Sequence, residues 1–282
     1  MTDQTKGLLL TFLGVMCIVP EALFVRVIDA PMLTLAFWKV TLVGLAIGTG
    51  LLLAQGTAPF RALRRAGWAS AIYVGGVACA GVGFVLAVRL TSVANVVFIL
   101  ASLPVFAAIY SKVFLGEPIS RRMFFTIAAV LAGLAVIAFG SGETENASRA
   151  GDLLALSISA IFAGALTAAR HARAVSMVPA VALAYLLAGA VLLPVAQPLQ
   201  MPAAELPQML LYAVFMAASA GLIALGPRYI SSAEVGLLVL LESVLAPLLV
   251  WAVLGEDPGI YALSNLIAPS RRRRVVPPLP HH

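Results

Sequence analysis

Charge is what this sequence has least of. Only 11% of its 282 residues are Asp, Glu, Lys or Arg, against 62% hydrophobic, and the mean hydropathy is +1.04. A soluble domain carries roughly 25% charged residues, so the chain lacks the polar side chains to cover a globule in water. It is read as a protein embedded in lipid. Cysteine is nearly absent too: Cys17 and Cys79 both lie in apolar stretches, which excludes a disulfide framework or a cysteine metal cluster and leaves them as small packing residues. The histidines are His171 in a predicted loop and His281 and His282 at the end of the chain, so no buried imidazole base and no histidine-ligated metal is expected. No Gly-x-x-x-x-Gly-Lys-Ser/Thr loop occurs, which leaves no built-in ATP engine. The net charge of +6 is spread between apolar runs rather than gathered into a patch, so nucleic acid is not an expected partner. No catalytic residue, metal ligand or cofactor is expected, and the chain is read as moving something rather than converting it.

What is present is apolar runs of membrane-crossing length. A helix needs about 20 residues to cross about 30 Å of hydrocarbon, and nine runs qualify: 8–25, 32–54, 67–88, 93–111, 123–139, 153–169, 177–196, 209–226 and 235–254. The first is expected to be a retained span rather than a signal peptide, because Pro20 and Glu21 stand where small cleavage-site residues belong. A tenth run starts at Gly259 and stops at Ala268, about 15 Å as helix, before Pro269, Ser270 and the arginines Arg271 to Arg274. Four arginines at the bilayer centre would cost several kcal/mol, so this segment is expected to end mid-bilayer or to be drawn to a surface.

With the N-terminus in the cytoplasm, the inside loops hold ten basic residues: Lys6, Arg61, Arg64, Arg65, Lys112, Arg121, Arg122, Arg170, Arg173 and Arg228. The outside loops hold three, Arg26, Arg89 and Arg149, and the longest of them carries Glu143 and Glu145. The positive-inside rule therefore predicts a cytoplasmic N-terminus.

The chain also repeats itself. A shift of 139 puts Tyr73 on Tyr212, Arg89 on Arg228, Ser92 on Ser231, Ala94 on Ala233 and Leu115-Gly116-Glu117 on Leu254-Gly255-Glu256, with 12 identities in the 46 positions from Tyr73 to Pro118. A shift of 144 puts Gly7 on Gly151 and Arg26 on Arg170. Two copies of a five-span unit follow, and because five is odd the second enters the membrane from the opposite side. Inverted repeats of this kind recur in secondary transporters, with the site near the midplane.

These features resemble the drug/metabolite transporter superfamily, specifically its EamA-type members: the duplicated unit, the Leu-Gly-Glu after the fourth span of each half, and the stretch Tyr229 to Glu256. The resemblance covers residues 7 to about 260. It implies a multi-pass protein of the bacterial inner membrane that exports amino acids or similar small metabolites, with the third, fourth, eighth and ninth of ten helices helping to line a central cavity. The sequence departs from such proteins in lacking a full tenth helix.

Three ionisable residues lie inside predicted spans, where they are costly in hydrocarbon and mark functional candidates. Glu21 and Lys39 lie roughly 7 and 10 Å below the outer ends of consecutive antiparallel helices, which predicts an ion pair. The pair only neutralises two buried charges, or Lys39 reaches outward instead, or the two form an outer gate or a site for a zwitterion, Glu21 taking an ammonium and Lys39 a carboxylate. Glu242 lies roughly 10 Å from the inner end of the ninth span with no basic residue at its depth. An unpaired carboxyl in an apolar setting favours its neutral form and can exchange protons, so Glu242 is the first candidate for proton coupling or for binding a substrate amine. It is otherwise a protonated or hydrogen-bonded packing residue; its repeat partner is Leu103.

Pro20, Pro104 and Pro247 are expected to interrupt the first, fourth and ninth spans, and broken helices in matching positions point to a binding site. Asn95, Ser102, Tyr73 and Tyr212 are secondary candidates to line the cavity. Gly75, Cys79 and Gly83 recur at four-residue spacing and predict a close helix approach on one face of the third span. Gly116 and Gly255 are read as helix caps.

The expected fold is thus an all-α polytopic membrane protein of two inverted five-helix repeats, 1–142 and 143–268, with a truncated tenth helix and a basic, proline-rich tail over 269–282. The expected function is a secondary exporter of small, zwitterionic or amphipathic and cationic metabolites by alternating access. Its expected partners are that substrate and the lipid bilayer, with a homodimer as an open alternative. Two other readings remain: a passive channel or scaffold, and a transport-defective family member whose end is a truncation or a shifted frame.

Overall fold

The computed structural model describes residues 2–118, 124–125, 128–129, 132 and 148–254. The predicted fifth span falls largely outside these, and the predicted cap at Gly255, the predicted tenth segment and the tail fall beyond them. Among the described residues, every regular element is a helix.

The first span is two pieces, α1 (Asp3–Ile18) and α2 (Glu21–Val27). Pro20 lies at the junction, because it has no N–H to continue the ladder. α3 (Met32–Gln55) is followed by the short α4 (Ala58–Ala62) and then α5 (Trp68–Leu90). The fourth span is also divided, into α6 (Val93–Leu100) and α7 (Leu103–Leu115), and Pro104 occupies the first turn of the second piece. The next elements are α8 (Arg149–His171), α9 (Val178–Leu192), α10 (Leu206–Leu225) and α11 (Ser232–Leu254). α11 runs unbroken through Pro247, so the expected interruption of the ninth span is not present. Proline is tolerated inside membrane helices where neighbouring helices, side chains or local adjustments meet the freed backbone group.

α9 is shorter than the predicted 177–196. The chain leaves the helix after Leu192 and turns at Gln197, whose φ is 46°. Thr34 and Trp38 of α3 fix that turn by donating to the carbonyls of Ala196, at 2.5 Å, and Pro198, at 3.0 Å.

The helices interlock by pairs drawn from opposite halves. Gly7 and Gly14 of α1 lie against Ile230 and Ile223, so α1 and α10 run antiparallel. Gly76 of α5 faces Ala165 and Ile161 of α8, and Gly83 faces Ile158, again antiparallel. Gly44 of α3 meets Leu186 of α9 while Gly189 of α9 meets Thr41 of α3, a reciprocal contact. Exchanging the halves turns the α1–α10 pair into the α8–α5 pair and returns α3–α9 to itself. α1 starts on the face that holds Tyr229, whereas α8 starts on the other face, with Gly151 on Thr91, and ends with His171 against Trp68. The two first helices therefore point in opposite directions, which makes the repeats inverted.

Position 75 is exposed, with open space where its Cβ would be, and Cys79 is exposed, whereas Gly76 is buried and its added Cβ would lie 2.8 Å from that of Ala165. The close approach thus uses Gly76 and Gly83 rather than the expected Gly75, Cys79 and Gly83. Residues seven apart stay on one helix face, while eight positions drift by 80° at 3.6 residues per turn. Large apolar side chains such as Leu53, Val113, Val191 and Val214 point outward, a surface suited to lipid.

Candidate functional site

The break at Pro20 places Glu21 in the first turn of α2, in the interior between the halves, where it is buried. Lys39 of α3 forms an ion pair with Glu21 Oε1 and also donates to the Gly81 carbonyl of α5 at 3.0 Å. The Tyr212 hydroxyl of α10 donates to the same Oε1 at 3.1 Å. Phe24, one turn along α2, stacks on Tyr212 with ring centroids 5.2 Å apart, and the Lys39 ammonium lies 5.5 Å from the Phe84 ring centroid. Four helices from both halves, α2, α3, α5 and α10, therefore converge on this ion pair. Taking two ions out of water is costly unless their remaining hydrogen-bonding capacity is met, and the Gly81 carbonyl and the tyrosine hydroxyl meet part of it.

Glu242 of α11 is 5% exposed, and its Oε1 has no hydrogen-bond partner among the described residues. It lies within electrostatic reach of Glu21, Lys39 and Tyr212. Under the repeat shifts Tyr212 falls on Tyr73, but Glu21 falls on Ala165 and Glu242 on Leu103. The charged cluster has no twin in the other half.

Of the remaining candidates, Tyr73 is buried beside this cluster on a small cavity of about 50 Å³ that Glu21 also lines. Ser102 is elsewhere: at the α6–α7 break its hydroxyl bonds the Ile99 carbonyl and the Ser159 hydroxyl of α8, at 2.7 and 2.9 Å. Asn95 in α6 caps no helix with its side chain, and its Nδ2 is buried without a partner among the described residues.

The repeat is also written in arginine. Arg26 and Arg89 donate to the carbonyls of Thr91 and Ile28 on one face, at 3.1 and 2.8 Å. Their repeat mates Arg170 and Arg228 donate to the carbonyls of Pro227 and Arg173 on the other, both at 3.3 Å. Arg170 also pairs with Glu117 at 3.0 Å.

The family model for the EamA-like transporter family matches residues 5–139 and again 149–268. The chain belongs to the EamA-like transporter family. It is a multi-pass membrane transporter of the drug/metabolite type. A crystal structure described only as that of a protein has the same fold, with a TM-score of 0.70 over 92% of each chain at 19% identity. No curated protein matches the chain.

The sequence pointed to Glu21, Lys39 and Tyr212 but not to Tyr185 of α9 or Ser219 of α10, which line the same small cavity. A lone tyrosine and a lone serine in apolar spans carry no pattern that tells which way they face. Nor did it point to Ser111 and Ser232, whose hydroxyls meet at 2.6 Å and join α7 to α11 near the face where the chain begins. This EamA-like transporter has a second, larger cavity of about 660 Å³ on that side, walled by Trp68 and Ile72, Tyr110 and Phe114, and Gly164 and His171.

Proposed function

We propose that this transporter exports small zwitterionic or amphipathic cationic metabolites from a bacterial cytoplasm by alternating access, in exchange for protons. The observation that carries the reading is the charge count of the buried cluster. Two carboxylates, Glu21 and Glu242, are buried within electrostatic reach of one ammonium, Lys39, which is paired with Glu21. With both carboxylates ionised, the interior holds one negative charge too many in a medium that strongly disfavours it. A proton on Glu242 or a substrate ammonium nearby removes that excess, and only one of the two is needed at a time. That exclusion is the chemistry of an exchanger.

The halves 1–142 and 143–268 are the repeat units, and the pairs that join them, α1–α10 and α5–α8, exchange under the repeat, which supports two pseudo-symmetric arrangements of the same helices. The cavity beside Glu21, about 50 Å³, is far below the roughly 300–1,000 Å³ of a whole metabolite site, so it has room for a substrate's headgroup alone. Basic residues gather on one face, with Lys6, Arg64, Lys112, Arg173 and Arg228 there against Arg26, Arg89 and Arg149 opposite. The positive-inside rule makes the first face cytoplasmic.

The test is flux in proteoliposomes containing the full chain. Wild-type protein should give saturable, pH-driven counterflow of a cationic or zwitterionic substrate, and Glu242→Gln should retain substrate exchange while losing the response to a pH gradient. Flux equal to that of empty vesicles across amino acids and organic cations, or flux that is linear in concentration, contradicts the reading.

A further inference from the structure

We infer that the small cavity beside Glu21 is a subsite for a primary ammonium group, one that rejects trimethylated ammonium; this rests on the transport reading and names its headgroup. The argument starts from which atoms are already used. Lys39 and Tyr212 both address Glu21 Oε1, leaving the second carboxylate oxygen without a hydrogen bond among the described residues. A carboxylate accepts through both oxygens, so Glu21 keeps capacity to spare.

The cavity supplies partners of the same kind. Its polar lining is Glu21, Tyr73, Tyr185 and Ser219, and the Ser219 hydroxyl is buried at 1% exposure with no hydrogen-bond partner among the described residues. A buried hydroxyl left unpaired carries a penalty that a ligand can relieve. Every polar group on this lining offers an oxygen that accepts, and one of them carries negative charge. A primary ammonium has three N–H donors and no acceptor, which matches one carboxylate oxygen and two or three hydroxyls. Chloride, phosphate or a carboxylate would find no cation on this lining, since Lys39 is already turned to Glu21 and to the Gly81 carbonyl.

Size decides among cations. A water needs roughly 10–15 Å³ of such space, so about 50 Å³ holds a few water-sized groups. That suits a compact –NH₃⁺ and excludes three added methyl groups, which also have no N–H to give. The rest of the lining, including Val77, Phe162 and Met216, is apolar and is contributed by five helices, α1, α5, α8, α9 and α10. It suits the carbon chain that follows the headgroup.

The experiment is calorimetric titration of the full chain in lipid nanodiscs with three probes of equal chain length: n-butylammonium, N,N,N-trimethylbutylammonium and butan-1-ol. Butylammonium should bind at least about tenfold more tightly than either of the others, the worth of one or two charge-assisted hydrogen bonds. Tyr185→Phe and Ser219→Ala, checked for unchanged thermal unfolding, should each weaken butylammonium several-fold and leave the trimethylated probe unmoved. Equal or tighter binding of the trimethylated probe overturns the subsite, as does binding of butylammonium that neither variant changes; a cavity that takes water only would show no heat with any probe and overturns it too. The transport reading fails separately. If proteoliposome flux depends on Glu21 and Glu242 while the two ammonium probes compete equally, the subsite falls and transport stands; if butylammonium binds as described without any flux, the reverse holds.

Discussion

The Lys39 ammonium and the Tyr212 hydroxyl, carried by helices of opposite halves, meet on a single oxygen of Glu21. One carboxylate thereby ties the two repeats together in the interior. Breaking a buried pair by removing one partner strands the other charge and costs about 3–5 kcal/mol, whereas replacing both with apolar groups of like volume is often neutral. Lys39→Met should therefore lower the unfolding temperature sharply, and the double variant Glu21→Leu/Lys39→Met should recover most of it. Both should be transport-dead. A double variant with normal flux would reduce the pair to charge neutralisation.

Tyr212→Phe removes only the hydroxyl and keeps the stack on Phe24. The loss of a hydrogen bond to a charged group is worth about 1.5–3 kcal/mol. Thermal unfolding should fall by less than in Lys39→Met, and substrate affinity should change because the Glu21 oxygen balance changes. An unchanged affinity would separate Tyr212 from the site.

Gly76 and position 75 offer a sharp contrast one residue apart. A Cβ at Gly76 would press on Ala165, whereas position 75 faces open space. Gly76→Val should destabilise by about 1–3 kcal/mol or more through overpacking of α5 on α8, and Gly75→Ala should be neutral or slightly stabilising, as alanine is in a helix. Unfolding of the two purified variants, side by side, checks this.

The face assignment has its own check. A single cysteine introduced as Arg64→Cys in a Cys17→Ala/Cys79→Ala background should react with a membrane-impermeant maleimide only from the cytoplasmic side. Arg149→Cys should react only from the other. Reversed labelling would invert the proposed direction of export.

Much of this arrangement could be read from the residues. The apolar runs located the described spans because hydrocarbon thickness fixes their length, and the 139 and 144 shifts paired Arg89 with Arg228 and Arg26 with Arg170, which the structure places in matching carbonyl contacts on opposite faces. Equal depth predicted the Glu21–Lys39 pair. What was lost was rotation. Hydropathy that is high all round a helix has no apolar face to orient it, so the third span's glycine seam was placed one residue off, and Tyr185 and Ser219 carried no sign that they face the interior. One helix end was missed although the sequence carried its sign: Leu193 to Ala196 continue the apolar run, but Pro194 lies just past the last helical residue, Leu192, and the chain then turns at Gln197, held by Thr34 and Trp38.

The measurement that bears most directly on the account is the pH dependence of substrate counterflow by wild type and Glu242→Gln in the same proteoliposomes. If Glu242 is the carboxylate that a proton and a substrate cation occupy in turn, wild-type uptake should respond to an imposed pH gradient, while Glu242→Gln should exchange substrate at a rate that no longer does. A Glu242→Gln protein that stays folded and keeps a full wild-type response to the gradient would contradict it.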